Sequence, residues 1–171
     1  MKDDNPSCAE AGPFRARSTE TKGQSPPKPE TSPAKSVFAR FETEMQVRPD
    51  DIDMYQHVHS SRYLDYVLAA RFDQMERCYK VPISEFQQHG LGWFLAGTQI
   101  NFKRPLGLGE YFIVRTWIEE FTRTGVRVQF QIDRKTDGKR CSDGWAEYVM
   151  VTVATGRATP IPAWVRAKYS L

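Results

Sequence analysis

The sequence predicts an α+β domain in which a largely antiparallel sheet of five strands wraps around one long central helix. Three observations lead there. Residues 126–133 alternate without error, Val126, Val128, Phe130 and Ile132 against Arg127, Gln129, Gln131 and Asp133, the period of a strand with one buried face. One stretch, about residues 61–79, carries a convincing helical period instead. The order is strand, helix, then four strands joined by short turns. One helix cannot cover both faces of five strands, so the sheet must curl around it.

The first strand is read from Phe41, Thr43, Met45 and Val47, which alternate with Glu42, Glu44, Gln46 and Arg48. In the helix, Leu64, Val67, Leu68, Phe72 and Met75 form the apolar stripe, and Arg62, Asp65, Asp73 and Glu76 take the other side. Ser60 or Ser61 supplies its N-cap. Phe94–Lys103 is the second strand, closed where proline and glycine break the ladder in Pro105-Leu106-Gly107-Leu108-Gly109. Tyr111–Glu119, rich in aromatic and β-branched residues, is the third. It turns through Arg123-Thr124-Gly125 into the alternating fourth. Asp137-Gly138 is a strong hairpin signal leading to the fifth, Trp145–Val153. The edge strands of such a sheet are exposed in a monomer, which predicts edge-to-edge assembly, a homodimer or homotetramer.

The 171 residues divide unevenly. Residues 1–36 hold six of the eleven prolines and almost no large apolar side chains, so they are expected to be a mobile, disordered tail. Residues 37–171 are the folded domain. No apolar run of seven or more residues follows the basic positions of the tail, and no apolar stretch reaches about 18 residues, so neither a secretory signal nor a membrane span is expected. A net charge of +3, with Lys and Arg scattered, gives no case for nucleic acid. Cys8, Cys78 and Cys141 are an odd count at unrelated spacings, which fits a reducing cytoplasm and neither a disulfide framework nor a zinc site.

Candidate chemistry concentrates in residues 51–71, DIDMYQHVHSSRYLDYVLAAR. Two acids, Asp51 and Asp53, and two of the three histidines, His57 and His59, precede the helix start. Polar groups brought to a helix N-terminus meet free N–H groups that can stabilise an oxyanion, and a carboxylate there can attack a carbonyl or activate water. Acids before helices also serve as caps and turn formers, and residue types alone do not separate the two readings. A metal on Asp53, His57 and His59 is short of ligands, since the third histidine, His89, lies in an unrelated stretch, and no metal is expected. Packing near the turn is the alternative for Tyr55 and the favoured reading for Tyr63.

The segment 47–71 closely resembles the signature of hotdog-fold acyl-CoA thioesterases, nearest to the long-chain acyl-CoA (FadM) type within the 4-hydroxybenzoyl-CoA thioesterase superfamily. The resemblance rests on Val47-Arg48, Asp53, Tyr55-Gln56-His57-Val58, Arg62-Tyr63-Leu64 and Ala70-Arg71, with a second patch at INFKRPLGLGE, residues 100–110. It spans about residues 40–155. It implies that Asp53 is the catalytic carboxylate, as nucleophile or general base. His57 then activates water or orients that carboxylate, and N–H groups at the helix start polarise the thioester carbonyl. It places substrate contacts at Tyr55, Val58, His59, Ser60 and Tyr63. The family's usual Asn-Asn pair is replaced here by His59-Ser60, which bears on acyl selectivity, and His59 itself reads as a turn residue.

The implied substrate is an acyl-CoA, with fatty acyl chains in view, and no cofactor beyond the coenzyme A of that substrate is expected. Its phosphates need basic partners, for which Lys103, Arg104, Arg123 and Arg127 are candidates and solvated surface charge is the alternative. Trp93, Phe94, Leu95 and Phe102 are candidates for an acyl pocket, or ordinary core. Beside hydrolysis of acyl-CoA stand a hotdog hydratase or dehydratase, which the likeness to the thioesterase motif disfavours, and two further readings. One is a thioesterase acting on acyl carrier protein. The other is a non-catalytic acyl-CoA binder or regulator on the same fold, against which the Asp53/His57 pair argues, since a binder needs no charge at the thioester.

Overall fold

The computed structural model describes residues 38–170. The expectation of a disordered tail at 1–36, and Cys8 with it, lies outside the described residues. Six strands and three α-helices follow one another: β1 Arg40–Gln46, α1 Arg62–Arg77, α2 Ile83–Gln88, β2 Leu91–Phe102, β3 Tyr111–Phe121, β4 Gly125–Arg134, β5 Arg140–Thr152, β6 Arg157–Ala158 and α3 Ala163–Tyr169. The sheet order is β1-β3-β4-β5-β2, with the two-residue β6 added on β5. Every pairing is antiparallel. All five predicted strands are present, and α1 packs in the curl of the sheet.

The β4 alternation is borne out: Val126, Val128, Phe130 and Ile132 are all buried. Gly138 sits at φ +67 in the β4–β5 turn, where the Lys139 N–H donates to Asp137 Oδ1 at 3.1 Å. The helix is rolled relative to the predicted stripe. Its buried side is Tyr63, Tyr66, Val67, Ala70, Arg71, Gln74 and Met75. Leu64 and Leu68 are only half-buried and Phe72 is exposed. The roll has a polar cause. Gln74 donates to Thr43 Oγ1 at 3.1 Å and accepts from the Thr116 hydroxyl at 2.5 Å, and Thr116 accepts from the Arg71 guanidinium at 3.2 Å. With their hydrogen bonds supplied by β1 and β3, two long polar side chains can face the sheet at modest cost.

α1 divides the core between its two ends. Its first half packs Tyr63, Tyr66, Val67 and Ala70 with Val47, Val58, Leu106 and Phe112. Its last turns pack Met75 with Tyr79, Val81, Phe86 and residues of β4, β5 and α3. Among the described residues no helix is long and apolar enough to cross a membrane. Among the described residues β2 is an edge strand, paired only with β5, and it shows solvent Phe94, Leu95 and Phe102.

Candidate active site

The site begins where β1 ends. The Val47 N–H donates to the Glu110 carbonyl and the Gly109 N–H to the Val47 carbonyl, which ties the chain to the turn before β3. A short 3-10 turn, Pro49–Asp51, then reverses direction. Ile52 and Val58 form an isolated antiparallel bridge, and His57 forms another with Gly107. The Val58 N–H donates to the Leu106 carbonyl at 2.8 Å, and both side chains are buried, so the loop is pinned to the proline turn by backbone and core together. That turn is held in place by Glu110, whose Oε2 accepts from the Gly107 N–H at 2.7 Å. Arg134 also holds it, meeting Glu110 at 3.1 Å and donating to the Pro105 carbonyl at 2.6 Å.

Between the two bridges, residues 53–57 close into a tight loop around Asp53. The Asp53 N–H donates to the His57 carbonyl at 2.8 Å, and the Gln56 N–H to the Asp53 carbonyl at 3.1 Å. Gln56 takes φ +64, a left-handed conformation costly for a side chain of its kind. Asp53 Oδ1 accepts from the N–H groups of Tyr55 (2.8 Å) and His57 (3.3 Å). Among the described residues Oδ2 has no hydrogen-bond partner. One carboxylate oxygen therefore fixes the group and the other is left unpartnered.

Asp51 is the other kind of acid. It is 1 % exposed. Its Oδ2 accepts from the Arg48 N–H at 3.1 Å, and the guanidinium groups of Arg48 and Arg62 stand 3.6 Å from its two oxygens. Burial by itself would raise its carboxyl, but the nearby Tyr66 hydroxyl, the Arg48 N–H and the Arg48 charge outweigh burial and hold it below the usual carboxylate range. The Tyr66 hydroxyl is buried beside it, short of an aligned hydrogen bond, and is raised mainly by burial.

His59 takes the capping role expected of a serine. Ser61 is the N-cap of α1 but makes no side-chain cap. The Ser61 N–H instead donates to His59 Nδ1 at 3.3 Å, with the Ser61 hydroxyl 2.9 Å from the same nitrogen, and the Arg62 N–H donates to the His59 carbonyl at 2.9 Å. Two N–H groups expected to polarise a carbonyl are thus already engaged. Among the described residues the Ser60 N–H has no hydrogen-bond partner.

An open cleft of about 380 Å³ gathers Asp53, His57, Val58, His59, Ser60 and Tyr63 from this side and Phe102, Lys103, Arg104 and Pro105 from the end of β2. Eight of the ten predicted site residues therefore meet in one place. Tyr63 and Phe102 pack edge to face, centroids 5.2 Å apart, as its wall. Lys103 pairs with Asp143 at 3.2 Å, and Arg104 donates to the Arg140 carbonyl at 3.1 Å. Two predicted residues do not join them. Tyr55 stands 73 % exposed at the loop tip, outside the cleft lining, and contributes its N–H alone. Arg123 lies in the β3–β4 turn, at the end of those strands opposite the proline turn, too far to reach this cleft within one subunit. Arg127 is paired with Glu147 and lies over the Trp145 ring. His89 closes α2 against Trp164, away from the other two histidines. The cleft contacts of Pro105 and the Glu110–Arg134 brace behind it were not legible in the sequence, where they resemble any turn and any surface pair.

A curled antiparallel sheet around one helix, with an acid-histidine loop at that helix's start, defines the class of hotdog-fold thioester hydrolases. A family model described as the thioesterase-like superfamily matches residues 47–169. The long-chain acyl-CoA thioesterase FadM of Escherichia coli is 25% identical over 132 residues, 75% of this chain and 96% of that one. Among solved structures, a hypothetical protein from Thermus thermophilus superposes with a TM-score of 0.70 at 25% identity, covering 77% of this chain and 96% of its own. A 1,4-dihydroxy-2-naphthoyl-CoA thioesterase from Synechocystis gives the same TM-score and the same coverage at 16% identity, a likeness of fold. The chain belongs to the thioesterase-like superfamily and is a thioester hydrolase.

Proposed function

We propose that the protein hydrolyses fatty acyl-CoA to the free acid and coenzyme A, with Asp53 as the reacting carboxylate. The observation that carries this reading is the state of Asp53: Oδ1 is fixed by two backbone N–H groups while Oδ2 is unpartnered at the cleft. That is the arrangement a nucleophile or a general base toward water needs, held in position yet free to act. His57 shares the cleft and orients the water or the carboxylate. The Ser60 N–H, beside the positive end of α1, is the donor left to receive the developing oxyanion. Lys103 and Arg104 at the cleft mouth suit coenzyme A phosphates, and the FadM relative is named for a long-chain acyl-CoA substrate.

The test is thiol release from a panel of acyl-CoAs by wild type, Asp53→Asn and His57→Ala. Asp53→Asn keeps the side-chain shape and removes the charge, so kcat is expected to fall at least about 10²-fold. Turnover indifferent to that change refutes the assignment. Arg104→Gln is expected to raise KM for acyl-CoA several-fold with little change in kcat, and to leave an acyl-N-acetylcysteamine, which has no phosphates, unaffected. Acyl carrier protein thioesters in the same panel separate the two carriers.

A further inference from the structure

A second cavity, of about 270 Å³, opens on the other half of the molecule and shares no lining residue with the catalytic cleft. Its walls are apolar: Leu68, Phe72 and Met75 of α1, Ile83 of α2, Trp93 and Leu95 of β2. Three polar groups interrupt them, Arg71, Tyr148 and Tyr169, which are 6 %, 9 % and 1 % exposed. Among the described residues Arg71 is a buried cation with no carboxylate partner. Its described contacts are one hydrogen bond to Thr116 Oγ1 at 3.2 Å and the Tyr79 ring at 5.5 Å. A guanidinium presents five N–H donors, so most of its donor capacity is unspent.

The tyrosines add to the imbalance. The hydroxyls of Tyr148 and Tyr169 are buried with no hydrogen-bond partner among the described residues. Tyr169 stacks on Tyr79 at 4.3 Å, and its hydroxyl lies beside the Trp93 indole. The Arg71 charge reaches both phenols, while burial raises both, which keeps them neutral and able to donate. An unpaired buried cation and two unpaired buried hydroxyls each cost free energy, and together they surround a place where an anion would satisfy all three. The remaining side chains that line the cavity are apolar or aromatic.

We propose that this cavity binds the carboxylate end of an apolar acid, with the carboxylate on Arg71, Tyr148 and Tyr169 and the hydrocarbon against Leu68, Phe72 and Trp93. The volume sits at the small end of ligand pockets, which begin at roughly 300 Å³, and so suits a medium chain or a single ring. Two sources offer that chemistry: a free acid, or a second carboxylate at the far end of the substrate's own acyl group. Arg71 lies nine residues beyond Arg62 on α1, roughly 14 Å along the helix from the catalytic loop.

The experiment is calorimetric titration of the full chain with octanoate, and with octan-1-ol as the uncharged match. Octanoate is expected to bind at least about tenfold tighter than the alcohol, and Arg71→Met is expected to abolish that preference. Because Arg71→Met also disturbs Thr116 and Gln74, the Tyr148→Phe/Tyr169→Phe double variant is the cleaner arm. Each change removes only a hydroxyl without a protein partner, so Tm should hold or rise while octanoate affinity falls several-fold. Equal binding of octanoate and octanol, octanoate affinity unchanged in both variants, or no binding because a second copy covers the cavity, overturns the proposal. None of these readings depends on Asp53, so they stand or fall apart from the hydrolytic assignment. A further arm, which does rest on that assignment, separates the sources using CoA thioesters of octanoic and octanedioic acid. A preference for the dicarboxylic ester that Arg71→Met removes assigns the far end of the substrate. Ester hydrolysis indifferent to Arg71→Met, with octanoate binding lost, assigns a free acid.

Discussion

Asp51 and Asp53 are two residues apart and do opposite work. Asp51 is buried against two arginines and holds the loop, while Asp53 has one oxygen free at the cleft. Removing the Asp51 charge should therefore act on stability. Asp51→Asn is expected to cost about 1–3 kcal/mol, read by denaturant melts, because it leaves the Arg48 N–H and guanidinium poorly matched. The pH dependence has a definite sign. A carboxyl held below its unfolded value of about 3.9 adds stability above that pH and loses it as pH falls through the folded value, so wild type should lose more Tm than Asp51→Asn on acidification below about pH 4. His59 carries the second prediction at this scale: His59→Ala removes the acceptor for the Ser61 N–H and should cost about 1 kcal/mol, while His59→Asn keeps an acceptor and most of the stability. The sequence could bring these candidate residues together because the loop's chemistry is local, with acid, turn and helix start within ten positions. Residue types alone did not show that Asp51 is buried, since that burial depends on Tyr66, a full turn into the helix, and on Arg62.

Among the elements, β5 is the strand whose sequence hides a constraint. Gly144 sits between β4 and β2, opposite Phe130 and Ile100. A Cβ there would collide with the Gln99 carbonyl oxygen and come within 2.9 Å of the Phe130 ring, so neither backbone nor ring leaves room for a methyl group. Gly144→Ala is expected to lower Tm by roughly 5–10 °C in a thermal melt, a cost of about 1–3 kcal/mol from overpacking. A Tm within a degree of wild type would mean that β2 and β5 separate more easily than their eleven paired positions suggest. Alternation made β1 and β4 legible, because one buried face leaves a two-residue period in the sequence, while composition and turn signals marked β2, β3 and β5. The helices α2 and α3, six and seven residues long, are too short to display a helical period, and both were missed. The roll of α1 was missed for a different reason. Arg71 and Gln74 are polar and add nothing to an apolar stripe, and the Thr43 and Thr116 partners that allow them inward lie on strands far away in sequence.

At the scale of the whole molecule, the exposed edge of β2 is where a second copy is expected to pair. The sheet ends at β1 on one side and β2 on the other, and only β2 is both long, at twelve residues, and apolar toward solvent. A strand of that length with Phe94, Leu95 and Phe102 exposed is a template for pairing. Antiparallel pairing of β2 with its own copy closes as a two-fold dimer and extends the sheet across both subunits. It would also bring the second subunit toward the cleft, since Phe102, Lys103 and Arg104 stand at the end of that strand. A lysine at Phe94, the fourth residue of β2, places a charge from each copy at the seam while leaving the backbone pairing with β5 in place. Sedimentation equilibrium should then show wild type as a dimer or a multiple of one, and Phe94→Lys as a monomer with an unchanged circular dichroism spectrum. If the cleft is completed across the seam, thioester turnover falls with dissociation and recovers as protein concentration is raised. A monomeric wild type, or a Phe94→Lys variant that stays assembled, would move the contact away from β2 and leave each cleft to be complete in its own subunit.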